Sequence, residues 1–318
     1  MRKLAVIAAV SIAALAAIGS ASAAQFIARN ATGVSIKTNA KGEALVTYHL
    51  GSRVRRVLLW GAINALAPKK GAHQARFKVD YSGGWRTHHT TKFAGGCGRY
   101  DGPAIPNLVA ACKAPDGSYW AAQSWARPLP NLGFTPWTDE LRQKWLEVSH
   151  WRGEIAQIET GSYWLYGGRF QGLFGRLTYQ GDPVYGFGTT RYGAPTDGFG
   201  TLVYLDTLNA PQYGSGWKRE NSFVPHNPTG VFCYGFYTFD PTKGGYRHPP
   251  GYTARRGPGT GEKYRLTASG PGVTPNVEVI VPGLHPFDKG NRDDVAYQQE
   301  QTSILQAWGD NGCRAGLS

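Results

Sequence analysis

Acidic side chains are scarce here, at 21 Asp and Glu against 34 Lys and Arg, which leaves a formal charge of +13. That balance disfavours a cationic partner and draws polyanions. Charged residues make up only 17% of the chain and hydrophobic ones 41%, so a disordered, highly charged chain is excluded. Cysteine is limited to Cys97, Cys112, Cys233 and Cys313, with no C-x-x-C spacing. A four-thiolate zinc site needs such paired short spacings, so no metal is expected. H-E-x-x-H, G-x-x-x-x-G-K-[ST], a G-x-G-x-x-G after a strand and a G-x-S-x-G elbow are all missing. No cofactor is therefore expected. After the N-terminal segment no apolar run reaches membrane-spanning length.

That first segment has three parts. Arg2 and Lys3 are basic, Leu4 to Gly19 is uncharged and apolar, and Ala21-Ser22-Ala23 has the small-x-small pattern of a cleavage site. The apolar run is shorter than the ~20 residues a spanning helix needs. Residues 1–23 thus read as a bacterial-type secretory signal peptide, with Ala24 as the expected mature start and Gln25 the alternative. A secreted, extracytoplasmic chain permits disulfides. Cys97–Cys112 and Cys233–Cys313 are the expected pairs, because each joins partners in the same half of the chain. Loops of about 15 and about 80 residues would contribute roughly 3 and roughly 4 kcal/mol in the entropic model.

What remains is rich in turn formers, with 43 Gly and 20 Pro. The expected fold is mainly β: an antiparallel sandwich or barrel-like body of many short strands, one short mid-chain helix and a C-terminal helix. Val34 to Lys37, Ala44 to Tyr48 and Arg53 to Trp60 read as a meander around Asn39-Ala40-Lys41-Gly42 and Gly51-Ser52. Arg76 to Tyr81 alternates with period two. Thr138 is placed to cap a helix through Leu141, Trp145 and Val148. Short strands follow over Glu154 to Thr160, Ser162 to Tyr166, Phe170 to Phe174 and Arg176 to Tyr179. Trp217 to Val224, Gly230 to Phe239, Tyr264 to Ser269 and Val277 to Val281 are later strands. Asp240 to Glu262 reads as a surface loop, and Asp293 to Trp308 as the terminal helix. Residues 24–318 are expected to form a single β-rich domain, with a two-lobe alternative divided near 180.

Aromatic residues are the strongest positive signal: 10 Trp, 17 Tyr and 13 Phe. Flat rings with polar edges can stack on sugars. Trp85, Trp137, Trp164 and Trp217 lie beside turns, and Arg219 and Asn221 follow the last of them; these six are the candidate ligand-binding residues. Glu220 and His226 flank a Pro-rich turn, where a carboxylate could orient and charge an imidazole as an acid–base pair. The competing reading is a structural turn with Glu220 paired to an arginine. The function expected is a secreted, non-enzymatic binding protein for an anionic or polysaccharide cell-surface component, with nucleic acid a less expected partner. A secreted hydrolase, a glycosidase before a peptidase, and a structural envelope protein are the alternatives.

Overall fold

Four strands early in the chain alternate apolar and polar residues, and this alternation sets up the first sheet. The computed structural model describes residues 24–66, 74–88, 92–126, 143–165, 170–184, 188–189, 195–196, 217–219, 231–238, 264–281 and 287–309. Strand β1 is Gln25–Arg29, β2 Thr32–Thr38, β3 Ala44–Leu50, β4 Arg53–Trp60 and β5 Lys78–Asp80. Strands β2 to β5 pair antiparallel in chain order. Ile36 lies opposite Val46, and Val46 opposite Val57, so one face carries the aliphatic row. These three and Leu59 are buried in the main core. The expected meander is present, with Asn39 Oδ1 accepting from the Lys41 and Glu43 amides at its first turn.

A short helix, α1 (Trp85–His88), precedes β6 (Leu108–Lys113), β7 (Tyr119–Ala126) and β8 (Lys144–Trp151). The second sheet runs β1-β8-β7-β6. Trp120, Ala122, Leu146 and Val148 face the first sheet and complete the core. At full burial, each large apolar side chain stabilises the fold by roughly 1.5–3 kcal/mol. The mid-chain helix expected through Trp145 and Val148 is corrected here, since Lys144–Trp151 is a strand; Thr138 and Leu141 lie outside the described residues. Leu146 to Trp151 is buried without a break. Both faces of β8 are covered, so period two carries no polar signal and the i, i+4 match of Leu141 and Trp145 misleads.

The two sheets join along one side. Thr38 and Gly96 exchange backbone hydrogen bonds of 2.7 and 3.0 Å, and Gly98 and Lys113 exchange bonds of 3.0 and 3.2 Å. The segment 96–98 therefore stitches β2 to β6. The Cys97–Cys112 disulfide secures it, with Cα atoms 5.1 Å apart, as expected. On the other side β5 pairs only with β4, and β1 only with β8, among the described strands. The body is a sandwich and not a closed barrel. Tyr81 donates its hydroxyl to Phe26 O at 3.4 Å on the open side.

The rest of the described chain forms β9 (Gln157–Leu165), β10 (Phe170–Tyr179), β11 (Asp182–Pro183), β12 (Gly188–Thr189), β13 (Pro195–Thr196), β14 (Trp217–Arg219), β15 (Val231–Thr238), β16 (Tyr264–Ala268), β17 (Val277–Val281) and helix α2 (Arg292–Ala307). One sheet runs β11-β10-β15-β14, with β9 on β10; β12 pairs β13 and β16 pairs β17. Two expected pairs of short strands are each one strand, β9 and β10. Gly161 and Gly175 interrupt the sequence pattern there without breaking the ladder. A Cβ at Gly161 would stand 2.1 Å from Gln301 Oε1, so glycine lets α2 approach β9. Helix α2 is the terminal helix expected from the sequence. Its Asn291 cap accepts from the Asp293 amide at 3.0 Å. Leu305 packs with Tyr163, Phe174 and Val231. The Gln298 amide pairs with both backbone groups of Trp164, at 2.8 and 3.1 Å, capping the β9 edge as a strand would.

Between β16 and β17 the chain from Gly270 to Asn276 is wholly buried. Buried backbone must find partners. Val273 O accepts from His150 N at 2.8 Å, one step beyond the end of β1's pairing. Gln123, also buried, accepts from Asn276 N at 3.0 Å and donates to Asn276 O at 3.0 Å. Its amide also reaches Pro106 O at 2.9 Å, and Asn276 Nδ2 donates to the Glu147 carboxylate.

Two outcomes follow from these contacts. Gln123→Ala removes three buried hydrogen bonds and orphans an amide, so urea unfolding should show a loss of about 3–5 kcal/mol at unchanged m-value. Burial pushes the His150 imidazole down to about 4, while the Ala62 carbonyl and Asp116 raise it and Arg152 lowers it. The unfolded chain then binds a proton that the folded chain refuses, so this contribution is whole above about 6.5 and is lost as pH falls through about 4, an effect of about 3 kcal/mol. The stability difference between the wild type and His150→Asn should shrink across that window.

Candidate functional site

The outer face of the first sheet, opposite the core, carries the positive charge. Register sets its rows: Lys37 lies opposite Leu45, Leu45 opposite Leu58, and Leu58 opposite Asp80. The next row is Ser35, Thr47 and Arg56, and Trp60 lies opposite Lys78. Lys37, Arg56 and Lys78 are exposed and have no ion pair among the described residues. Arg53 and Arg55 leave the opposite face at the Gly51-Ser52 hairpin end, where both are exposed.

The two acidic residues of this region are already engaged. Glu43 Oε2 accepts from Asn39 Nδ2 at 2.7 Å and stands 3.2 Å from His88 Nε2. Asp80 is buried, and its Oδ1 accepts from Ser82 N at 2.8 Å. Burial pushes its carboxyl up, but the Ser82 hydroxyl and amide, the Gly84 amide and the Arg86 charge outweigh that and hold it below the usual range. The Asp80 turn launches α1 back over the sheet. Gly84 packs against Leu58 and His88, and this covers Leu58, which is buried while its neighbour Leu45 is only partly so. His88 meets Phe93 edge-on at 5.9 Å.

Trp85 projects from α1 with 70% of its surface exposed, and Tyr81 from the preceding turn with 59%. Arg86 is exposed beside them. Burial of its lower part raises the Tyr81 phenol, which stays a neutral donor at physiological pH. An exposed indole therefore stands beside exposed guanidinium and ammonium groups, with the Tyr81 phenol at the adjoining open edge. Such a set can stack on a ring and pair with carboxylate, sulfate or phosphate groups.

The other sequence candidates separate. Trp164 is 4% exposed, packed on Phe287 at 5.3 Å and Tyr297 at 5.9 Å, so it is a core residue and not a binding ring. Trp217 and Arg219 lie on β14, opposite Thr238 and Phe236 of β15. Trp137, Glu220, Asn221, His226 and Cys313 lie outside the described residues, and with them the expected acid–base pair and the Cys233–Cys313 bridge. Tyr81, Arg56, Lys78 and Arg86 are not among the ligand-binding candidates read from the sequence. The signal available was the alternation of Arg76 to Tyr81, which runs directly into Trp85.

Asp116, Ser118 and His150 also meet, but not as a hydrolytic site. Ser118 stands between the other two, 2.6 Å from Asp116 Oδ1 and 2.8 Å from His150 Nε2. Both Ser118 and His150 are buried, whereas a nucleophilic serine needs the imidazole between itself and the carboxylate and must face a substrate. Among the described residues no group of three His, Cys, Asp or Glu side chains converges as a metal site, and no helix is long and apolar enough to cross a membrane.

Gly83 fixes where Trp85 stands. Its φ is +71°, and a Cβ there would lie 2.6 Å from Arg56 Cβ. Gly83→Ala should therefore cost about 2–4 kcal/mol in urea unfolding, combining left-handed strain with overpacking. Gly51→Ala, at φ +57° with nothing nearby, should cost only about 1–2 kcal/mol.

Comparison with known proteins adds no relative: no family model, no curated protein and no solved structure matches the chain.

Proposed function

We propose that the chain is an exported, non-enzymatic binding protein whose basic outer face receives an anionic polysaccharide of the cell surface. The observation that carries this reading is exposed Trp85, with Tyr81 at the adjoining edge, beside Lys37, Arg56 and Lys78, which have no ion pair among the described residues. Stacking on a sugar ring supplies contact area, and arginine forks supply pairing with acidic substituents. Polymeric ligands suit such a surface, because several weak contacts along one strand add in avidity. The secretory reading of residues 1–23 places the protein where cell-wall polyanions are the first polymers met. The Asp116, Ser118 and His150 group gives hydrolysis little support, since its hydroxyl and imidazole are both buried.

Retention of the protein on a purified acidic wall polysaccharide, with a neutral polysaccharide as control, tests this directly. Binding should weaken several-fold between low and high salt, as charge pairing does. Trp85→Ala should weaken it about fivefold to tenfold, corresponding to about 1–1.4 kcal/mol. Arg56→Glu should weaken it more at low salt than at high salt. No retention under either salt condition would remove the reading.

A further inference from the structure

A chain of three hydrogen bonds, buried at His150 and Ser118 and reaching exposed Asp116, crosses the junction of the two sheets, and it is one proton short. His150 Nδ1 stands 2.5 Å from Ala62 O. Its Nε2 stands 2.8 Å from Ser118 Oγ, which in turn stands 2.6 Å from Asp116 Oδ1. Both ends of the chain, a carbonyl and an ionised carboxylate, can only accept. Nδ1 therefore carries the proton of the neutral ring, and the single hydroxyl proton of Ser118 goes to Asp116. Nε2 and Oγ are then left facing each other lone pair to lone pair. Turning the hydroxyl toward Nε2 mends that gap and opens the next. Two protons serve three gaps.

We infer that Asp116, Ser118 and His150 form one proton-binding site, open to solvent at Asp116, which takes a single proton and shares it along the chain. The proton enters on Nε2, which then donates to Oγ while Ser118 keeps its own proton on Asp116. The equivalent arrangement places it on the carboxyl, with the hydroxyl turned to Nε2. Either way one proton is taken up and the net charge rises by one. The Trp120 ring lies stacked on the imidazole at 3.8 Å and 18°, offering a π face to the cation.

The groups around the ring come from every neighbouring element. Asp116, in the turn before β7, favours its charge, and Arg152, just after β8, opposes it. Arg152 also lies 3.4 Å from Asp116 Oδ2 and donates to Asp116 O at 2.6 Å. Phe77 and Trp120 contribute rings, and Ala62 and Val273 contribute carbonyls. Burial opposes the charge most strongly, so the site stands empty of this proton at neutral pH and fills on acidification. Because Ala62 follows β4 and His150 also holds Val273, this proton sits where the first sheet, the second sheet and the buried Gly270–Asn276 loop meet.

The test is an NMR titration of the full-length, isotopically labelled chain from neutral pH downward, following the His150 ring nitrogens and the Asp116 carboxyl carbon. A shared proton gives both groups one common midpoint, as coupled sites do, with the fold intact. Ser118→Ala should lower the His150 midpoint by about one pH unit, the value of a lost hydrogen bond to a charged group. Asp116→Asn should lower it too. Separate midpoints in the wild type would overturn the inference, as would unfolding before either group titrates. So would a folded Ser118→Ala variant whose His150 midpoint does not move. If that variant does not fold, the wild-type midpoints decide alone.

Discussion

The architecture depends on satisfying a loop that has no access to water. Gly270 to Asn276 lies wholly inside the protein, where each unpaired amide or carbonyl costs on the order of 1–3 kcal/mol. Loops usually run over the surface for this reason. Here Gln123 supplies one donor and one acceptor to Asn276, and the free backbone amide of His150 supplies another donor to Val273. These partners exist because β1 stops short along β8, leaving a ladder position for the loop. A long-range amide pair thus takes the place that a further strand would otherwise occupy.

With its inner layers fixed in this way, the sandwich can present an unusual outer face. Glu43 and Asp80 are spent on positioning: one pairs with His88 and Asn39, the other organises the turn before α1. Lys37, Arg56 and Lys78 of the same surface have no ion pair among the described residues. Charge at such a face is available to a ligand because the fold does not consume it. The aromatic residues divide by the same logic. Trp120 and Trp151 are enclosed as packing, while Trp85 sits on four helical residues with no apolar layer above it.

Much of this was legible in the chain. The meander of β2, β3 and β4 announced itself through alternation and its two turns, and Cys97 and Cys112 paired as their short spacing suggested. The terminal helix was legible as the run from Asp293 to Trp308. Strand β8 was misread because a strand buried on both faces loses the polar half of its alternation, and Glu147 and His150 fill inward positions by long-range hydrogen bonding. Glycine was misread as a break in β9 and β10, where it admits α2 and Phe232 at close range. Trp164 was misplaced for a related reason: proximity to a turn says nothing about which element will later pack over it. Only a contact with residues more than a hundred positions away, Phe287 and Tyr297, made it interior.

The stitch at residues 96–98 makes the sandwich asymmetric in a mechanical sense. One long side is sewn by four backbone hydrogen bonds and a covalent bridge, while among the described residues the opposite side is spanned by the Tyr81 hydroxyl. The two sheets resemble the covers of a bound volume, with a spine along β2 and β6 and a fore-edge along β1 and β5. Any separation of the covers must begin at the fore-edge. Tyr81, at that opening, belongs to the same turn that carries Trp85, so the first breath of the fold and the most exposed ring on its surface are parts of one short stretch of chain.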